Sequence, residues 1–183
     1  MSATFDIGEY NGSSGSPTVS TLGSIATSGH QYGVVDVNWK NEDTADTTNS
    51  ATDYTSYPIT AGANSYTKSQ FFRFSGTFDS VSALGVYQSS GTLGAHLTCI
   101  GTVAETYTTA STSTLSGTDM STTSSGSPLT MNMSTTSPVS GTFGSTLTAA
   151  GYSELWITQL QTASGAAPGN TASLTFTIEY TES

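Results

Sequence analysis

Groups able to take part in acid–base, nucleophilic or metal chemistry are few in this 183-residue chain. They are two histidines, His30 and His96, one cysteine, Cys99, and a scatter of carboxylates. A hydrolytic triad needs a nucleophile, a base and a group that orients the base. No Gly-x-Ser-x-Gly elbow precedes a helical pattern, and Ser13, Ser14 and Ser16 lie in a Gly-rich stretch that holds no nucleophile in place. His96 and Cys99 have an i, i+3 spacing, but on a strand they face opposite sides, and two ligands do not make a zinc site. Within Leu97-Thr98-Cys99-Ile100 the cysteine reads as a small buried hydrophobe, and being alone it forms no intrachain disulfide. Glu154 and Glu179 sit on expected strands and have the chemistry of a glycosidase pair, yet two acids among thirteen are unremarkable. Glu42, Asp43 and Asp46 offer oxygen ligands without the Asp-x-Asp-x-Asp-Gly spacing of a calcium loop. No catalytic, cofactor-binding or metal residue is therefore assigned, and the chain is expected not to be an enzyme.

Charge narrows the choice further. Lys40, Lys68 and Arg73 are the only cations, against thirteen carboxylates, for a formal charge of −10. Nucleic acids and acidic membranes repel such a chain, so neither is an expected partner. What remains is contact surface. Tyr54, Tyr57 and Tyr66 flank the Pro/Gly turn at Pro58 to Asn64 and are candidates for an exposed aromatic patch, because tyrosine offers rigid area with a polar tip. No stretch approaches the roughly 20 apolar residues of a membrane span, and the N-terminus lacks the basic start and apolar run of a secretory signal. The expectation is a soluble protein made in a cytoplasm.

The elements that must position these groups are strands. Charged residues make up only 9% of the chain, while roughly a third is Ser or Thr and 10% is aromatic. Thr, Val, Tyr and Phe favour strands, and recurring Gly/Ser clusters supply turns. Phe5, Ile7 and Tyr10 open the chain ahead of a Gly/Ser/Pro stretch ending at Pro17. Residues 1–17 read as a flexible apolar arm that docks on its own domain or on a neighbour, and these three residues are its contact candidates. Strands are expected at Thr18 to Ile25, Val34 to Trp39, Phe71 to Phe78, Val81 to Tyr87 and Leu97 to Val103. A Thr/Ser-rich excursion follows at 104–127. Leu129, Met131 and Met133 then alternate with polar residues, and one helical turn is expected near 146–150 on a Ser/Thr cap and a terminal Gly. Leu155 to Leu160 is apolar on both faces and reads as a central, doubly covered strand. The C-terminal run Ala172, Leu174, Phe176, Ile178, Tyr180 alternates with hydroxyls and Glu179. The fold class is all-β: one antiparallel β-sandwich, Ig-like or jelly-roll, spanning 18–183.

Several segments together carry a resemblance. They are Val37-Asn38-Trp39-Lys40-Asn41, the run Tyr57 to Tyr66, Ala149-Ala150-Gly151-Tyr152, Thr158-Gln159-Leu160-Gln161-Thr162 and the alternating C-terminal strand. The chain from about residue 34 onward resembles Thr/Ser-rich β proteins of tailed-phage virions, among them capsid decoration, or cement, proteins. That resemblance implies a non-enzymatic virion protein on the outer capsid surface, synthesised in the host cytoplasm. Its partner would be the major capsid protein, and it would be a homo-oligomer, with a trimer favoured. A tail or fibre component, or a carbohydrate-binding adhesin module using Trp39 or the tyrosines, are the alternatives. The resemblance carries no defining residue pattern, so no site residue is transferred.

Overall fold

Alternating apolar and polar residues bury one face of a strand, and a chain with many such runs has to stack sheets. The computed structural model describes residues 2–25, 38–44, 55–167 and 173–183. It shows an all-β protein of antiparallel strands: β1 (Ser2–Asn11), β2 (Thr18–Ile25), β3 (Lys68–Thr77), β4 (Val81–Gly91), β5 (Leu97–Ala104), β6 (Thr118–Asp119), β7 (Leu129–Thr130), β8 (Met133–Ser134), β9 (Thr146–Leu147), β10 (Gly151–Ser153), β11 (Leu155–Thr162) and β12 (Leu174–Glu182). The larger sheet runs β2-β1-β3-β11-β5-β6, with β10 joining β3 to β8. The smaller runs β12-β4-β7, with β9 also on β4.

The two sheets face each other across an aromatic core. Phe5 and Phe74 of the larger sheet meet Tyr180 of the smaller, with Phe74 and Tyr180 edge-on at 5.1 Å, while Phe72 packs on Phe5 and Trp156 within the larger sheet. Trp156 meets Phe176 in the same manner, also at 5.1 Å. Cys99, Val81, Leu84, Val86, Met120, Met131, Met133 and Leu147 complete this cluster. A second cluster, Tyr10, Phe71, Tyr107, Leu155 and Ile157, lies on the opposite face of the larger sheet. The Thr/Ser-rich stretch 104–127 contributes Tyr107 and Leu115 to it, so its first part lies over the sheet's outer face, while Met120 further along enters the core between the sheets. β11 is consequently buried on both faces from Leu155 to Leu160.

Two glycines make these layers fit. A Cβ on Gly8 would stand 2.3 Å from the Phe71 ring that lies across it in the β1–β3 pair. A Cβ on Gly101 would stand 2.4 Å from the Met120 sulfur. Each glycine is a pit in the sheet that a bulky neighbour fills.

Two expectations are corrected. Residues 2–11 are no arm: β1 pairs with β2 on one side and β3 on the other, and Phe5, Ile7 and Tyr10 are buried inside the protein's own body. The physical reason is that the alternation Ala3, Phe5, Ile7 continues the core face of β3, and joining that face buries more apolar surface than a flexible tail does. The helical turn near 146–150 is likewise absent. Thr146 and Leu147 pair with Ser82 and Val81, and burial of Leu147 in the core outweighs the capping pattern. A 3₁₀ turn occurs instead at Met120–Thr122, where the Asp119 carboxylate accepts the Ser121 N–H at 3.0 Å. The expected strand at Val34 to Trp39 lies mostly outside the described residues; Asn38 and Trp39 carry no strand pairing.

Candidate functional site

Past the aromatic core, the inner face of the larger sheet turns polar. The series Ala3, Phe5, Ile7 on β1 continues as Glu9 and Asn11, and Phe74, Phe72 on β3 continues as Gln70 and Lys68. Register places Glu9 opposite Gln70, and Gln70 opposite Trp156 of β11; Lys68 lies opposite Thr158. Glu9 and Lys68 are each 1% exposed and pair at 3.5 Å. The Glu9 carboxylate also accepts the Gln70 amide at 3.1 Å and the Asn11 amide at 3.0 Å. A buried ion pair persists only when its remaining hydrogen-bonding capacity is met, and these amides meet it.

Residues 38–44 cover this layer. The Lys68 ammonium donates to the Thr44 carbonyl, and Asp43 accepts from Asn11 at 3.3 Å and from the Gly12 N–H at 2.8 Å. The Trp39 indole N–H donates to the Thr158 hydroxyl at 3.1 Å. Lys40, 4% exposed, lies 3.6 Å from Glu42 and above the Tyr57 ring at 5.3 Å. The Glu42 carboxyl is held below its usual range, first by the Thr44 hydroxyl and, against some opposing burial, by Tyr57 and Lys40. Two of the three cations are thus spent inside the body. Arg73, opposite Asp6 on β1, is the exposed one.

The outer aromatic cluster is equally committed. Tyr10 and Tyr107 stack at 5.4 Å, and the Tyr107 hydroxyl donates to the Gly12 carbonyl at 2.7 Å. Burial, then the Asp43 charge, pushes the Tyr107 phenol up to about 12; burial, then Tyr152, raises that of Tyr10.

The sequence-derived candidates are dispersed. Phe5, Ile7 and Tyr10 are interior residues and present nothing to a partner. Tyr57 and Tyr66 are half-buried beside Lys40, whose carbonyl accepts the Tyr66 N–H at 3.1 Å; Tyr54 and His30 lie outside the described residues. His96 is exposed at the start of the turn into β5, whereas Cys99 is fully buried, its thiol pushed to about 12 by burial and then by Asp119. Glu154 is buried and accepts the Asn132 N–H, while Glu179 faces outward on the other sheet. Asp43 is engaged by Asn11 and Gly12, and Asp46 lies outside the described residues. Among the described residues, no group of three or more His, Cys, Asp or Glu is placed to hold a metal ion. Also among them, no helix is long and apolar enough to cross a membrane. The polar layer itself was missed from sequence, although Glu9, Asn11, Gln70 and Lys68 stand at the same strand parity as the core phenylalanines. That break from apolar to polar along one face is the signal that marks it.

No protein-family profile matches the chain, no curated protein matches it significantly, and no solved structure does either.

Proposed function

We propose that this protein is a non-enzymatic structural component of a tailed-phage virion, a capsid decoration protein bound to the outer face of the capsid lattice. The observation that carries this reading is the exterior. With Lys40 and Lys68 buried, Arg73 is the exposed cation of a chain carrying thirteen carboxylates, and the rest of the polar surface is mainly hydroxyl, amide and glycine. Such a surface is repelled by packaged nucleic acid and stays soluble when displayed outward. Among the described residues, Glu9, Lys68 and Glu154 are engaged in the fold, and His96 belongs to no group of His, Cys, Asp or Glu placed to hold a metal ion. The body works through shape: each copy bridges neighbouring capsomers, and repetition around symmetry axes turns modest contacts with the major capsid protein into avidity. A homotrimer is the assembly that suits a three-fold lattice position. Two features weigh against the carbohydrate-binding alternative: the Trp39 indole N–H is tied to Thr158 and the Tyr57 ring carries Lys40.

Quantitative mass spectrometry of virions from the phage that encodes the chain tests the reading. The expected result is a fixed ratio to the major capsid protein, lowered by treatments that leave the capsid shell intact. Absence from virions, or turnover of a small molecule that is lost in His96→Ala, overturns it.

A further inference from the structure

The buried polar layer sets an amine, a primary amide and a carboxylate against one another. Register pairs Tyr10 of β1 with Ser69 of β3. One step further, the last residue of β1, Asn11, stands opposite the first of β3, Lys68. Residues directly opposite on one face of an antiparallel pair hold their Cβ atoms roughly 5 Å apart. Glu9 joins the two through a single atom. Its Oε1 lies 3.5 Å from the Lys68 Nζ and accepts the Asn11 Nδ2 at 3.0 Å. All three side chains are buried, Asn11 included at 7% exposure.

The Asn11 amide is the poorly satisfied member of this group. Its Nδ2 lies between two carboxylates, donating also to Asp43 at 3.3 Å, whereas its Oδ1 is buried and has no hydrogen-bond partner among the described residues. A buried carbonyl oxygen without a donor is costly, and a layer that served the fold alone would supply one. The Gln70 amide, by contrast, binds the other oxygen of Glu9, Oε2, and leaves Oε1 to Lys68 and Asn11.

We propose that Lys68 and Asn11 condense into an isopeptide bond inside the folded chain, with Glu9 carrying the protons in a single turnover. Glu9 takes a proton from the Lys68 ammonium, which removes both charges from the interior and leaves a neutral amine. The amine's lone pair attacks Cγ of Asn11, and the carbonyl electron pair moves onto Oδ1. The proton on Glu9 passes to Nδ2, the Cγ–Nδ2 bond breaks, and ammonia leaves as the carbonyl re-forms. The surplus proton on the new amide nitrogen returns to Glu9, which ends as a neutral acid. One ammonia is lost, and nothing is oxidised or reduced. Burial keeps water from competing for Cγ. The bond ties the end of β1 to the start of β3, and the chain between them, β2 included, becomes one covalent loop. The ion pair described above is the state before this step, and Asn11→Ala holds the chain there for measurements on the pair. This chemistry lies wholly inside one chain and stands apart from the attachment reading.

Intact-mass spectrometry of the purified full chain tests it, followed by chymotryptic digestion of the unfolded protein. The expected result is a mass one ammonia below that of the sequence, and a branched peptide joining residues 11 and 68. Lys68→Met, Asn11→Ala and Glu9→Gln should each keep their full mass. Asn11→Asp should form the same bridge with loss of water in place of ammonia. Circular dichroism of Glu9→Gln and Asn11→Asp checks that a missing bridge is not a missing fold. A folded wild-type chain at full mass overturns the proposal. So does a branched peptide as abundant in Glu9→Gln as in the wild type. Loss of water from the wild type, as condensation of Lys68 with Glu9 or Asp43 gives, also overturns it. Ammonia loss that persists in Lys68→Met, as a succinimide at Asn11-Gly12 gives, does the same.

Discussion

Lys68 shows how one side chain sets the balance at the residue scale. Its ammonium is 1% exposed and answers both Glu9 and the Thr44 carbonyl. Lys68→Met leaves the Glu9 carboxylate buried without its cation, an expected loss of about 3–5 kcal/mol in urea unfolding. Adding Glu9→Gln should restore most of that, because a buried pair replaced together costs far less than a pair broken. A double-mutant loss no smaller than the single one contradicts this account. Tyr107 gives a pH signature. Its phenol is raised to about 12 when folded, above the ordinary value of 10.0, so the folded state holds a proton that the unfolded chain gives up first. The corresponding stability is present below pH 10 and is lost as pH rises through about 12. Tyr107→Phe should flatten that alkaline decline while costing about 1 kcal/mol at neutral pH, where the bond to the Gly12 carbonyl is lost. Denaturant midpoints on either side of pH 10 measure both.

Among the elements, β1 changes the reading of the N-terminus most. Because it lies between β2 and β3, removing residues 2–11 withdraws Ala3, Phe5 and Ile7 from the core and leaves β2 without its neighbour. The truncated chain should fail to fold cooperatively in thermal unfolding followed by near-ultraviolet circular dichroism. A native-like transition would show that β1 is dispensable. Much of the strand set was legible beforehand. Thr18 to Ile25, the Phe72–Phe74–Phe78 face and the doubly buried Leu155 to Leu160 follow from alternation, since side-chain direction repeats every two residues. β1 was read as an arm because the Gly/Ser/Pro stretch after it looks like a linker. In the fold that stretch is a turn pinned by Tyr107, Asp43 and Thr109. Pins so distant in sequence leave no local trace. The same holds for Leu147, whose extended conformation is dictated by Val81 across the sheet.

At the scale of the whole molecule, composition foretold the kind of surface and not its arrangement. The count of three cations is plain in the sequence, but their burial is a product of packing: Lys68 beneath residues 38–44, Lys40 against Tyr57. The hidden cations have a further consequence. A protease that cuts only after lysine or arginine has three bonds to choose from in this chain. Two of those side chains are shut inside, and the third, Arg73, belongs to a strand hydrogen-bonded on both sides. Digestive enzymes of that specificity should find no purchase until the body opens, so the folded form is suited to persist where such enzymes abound.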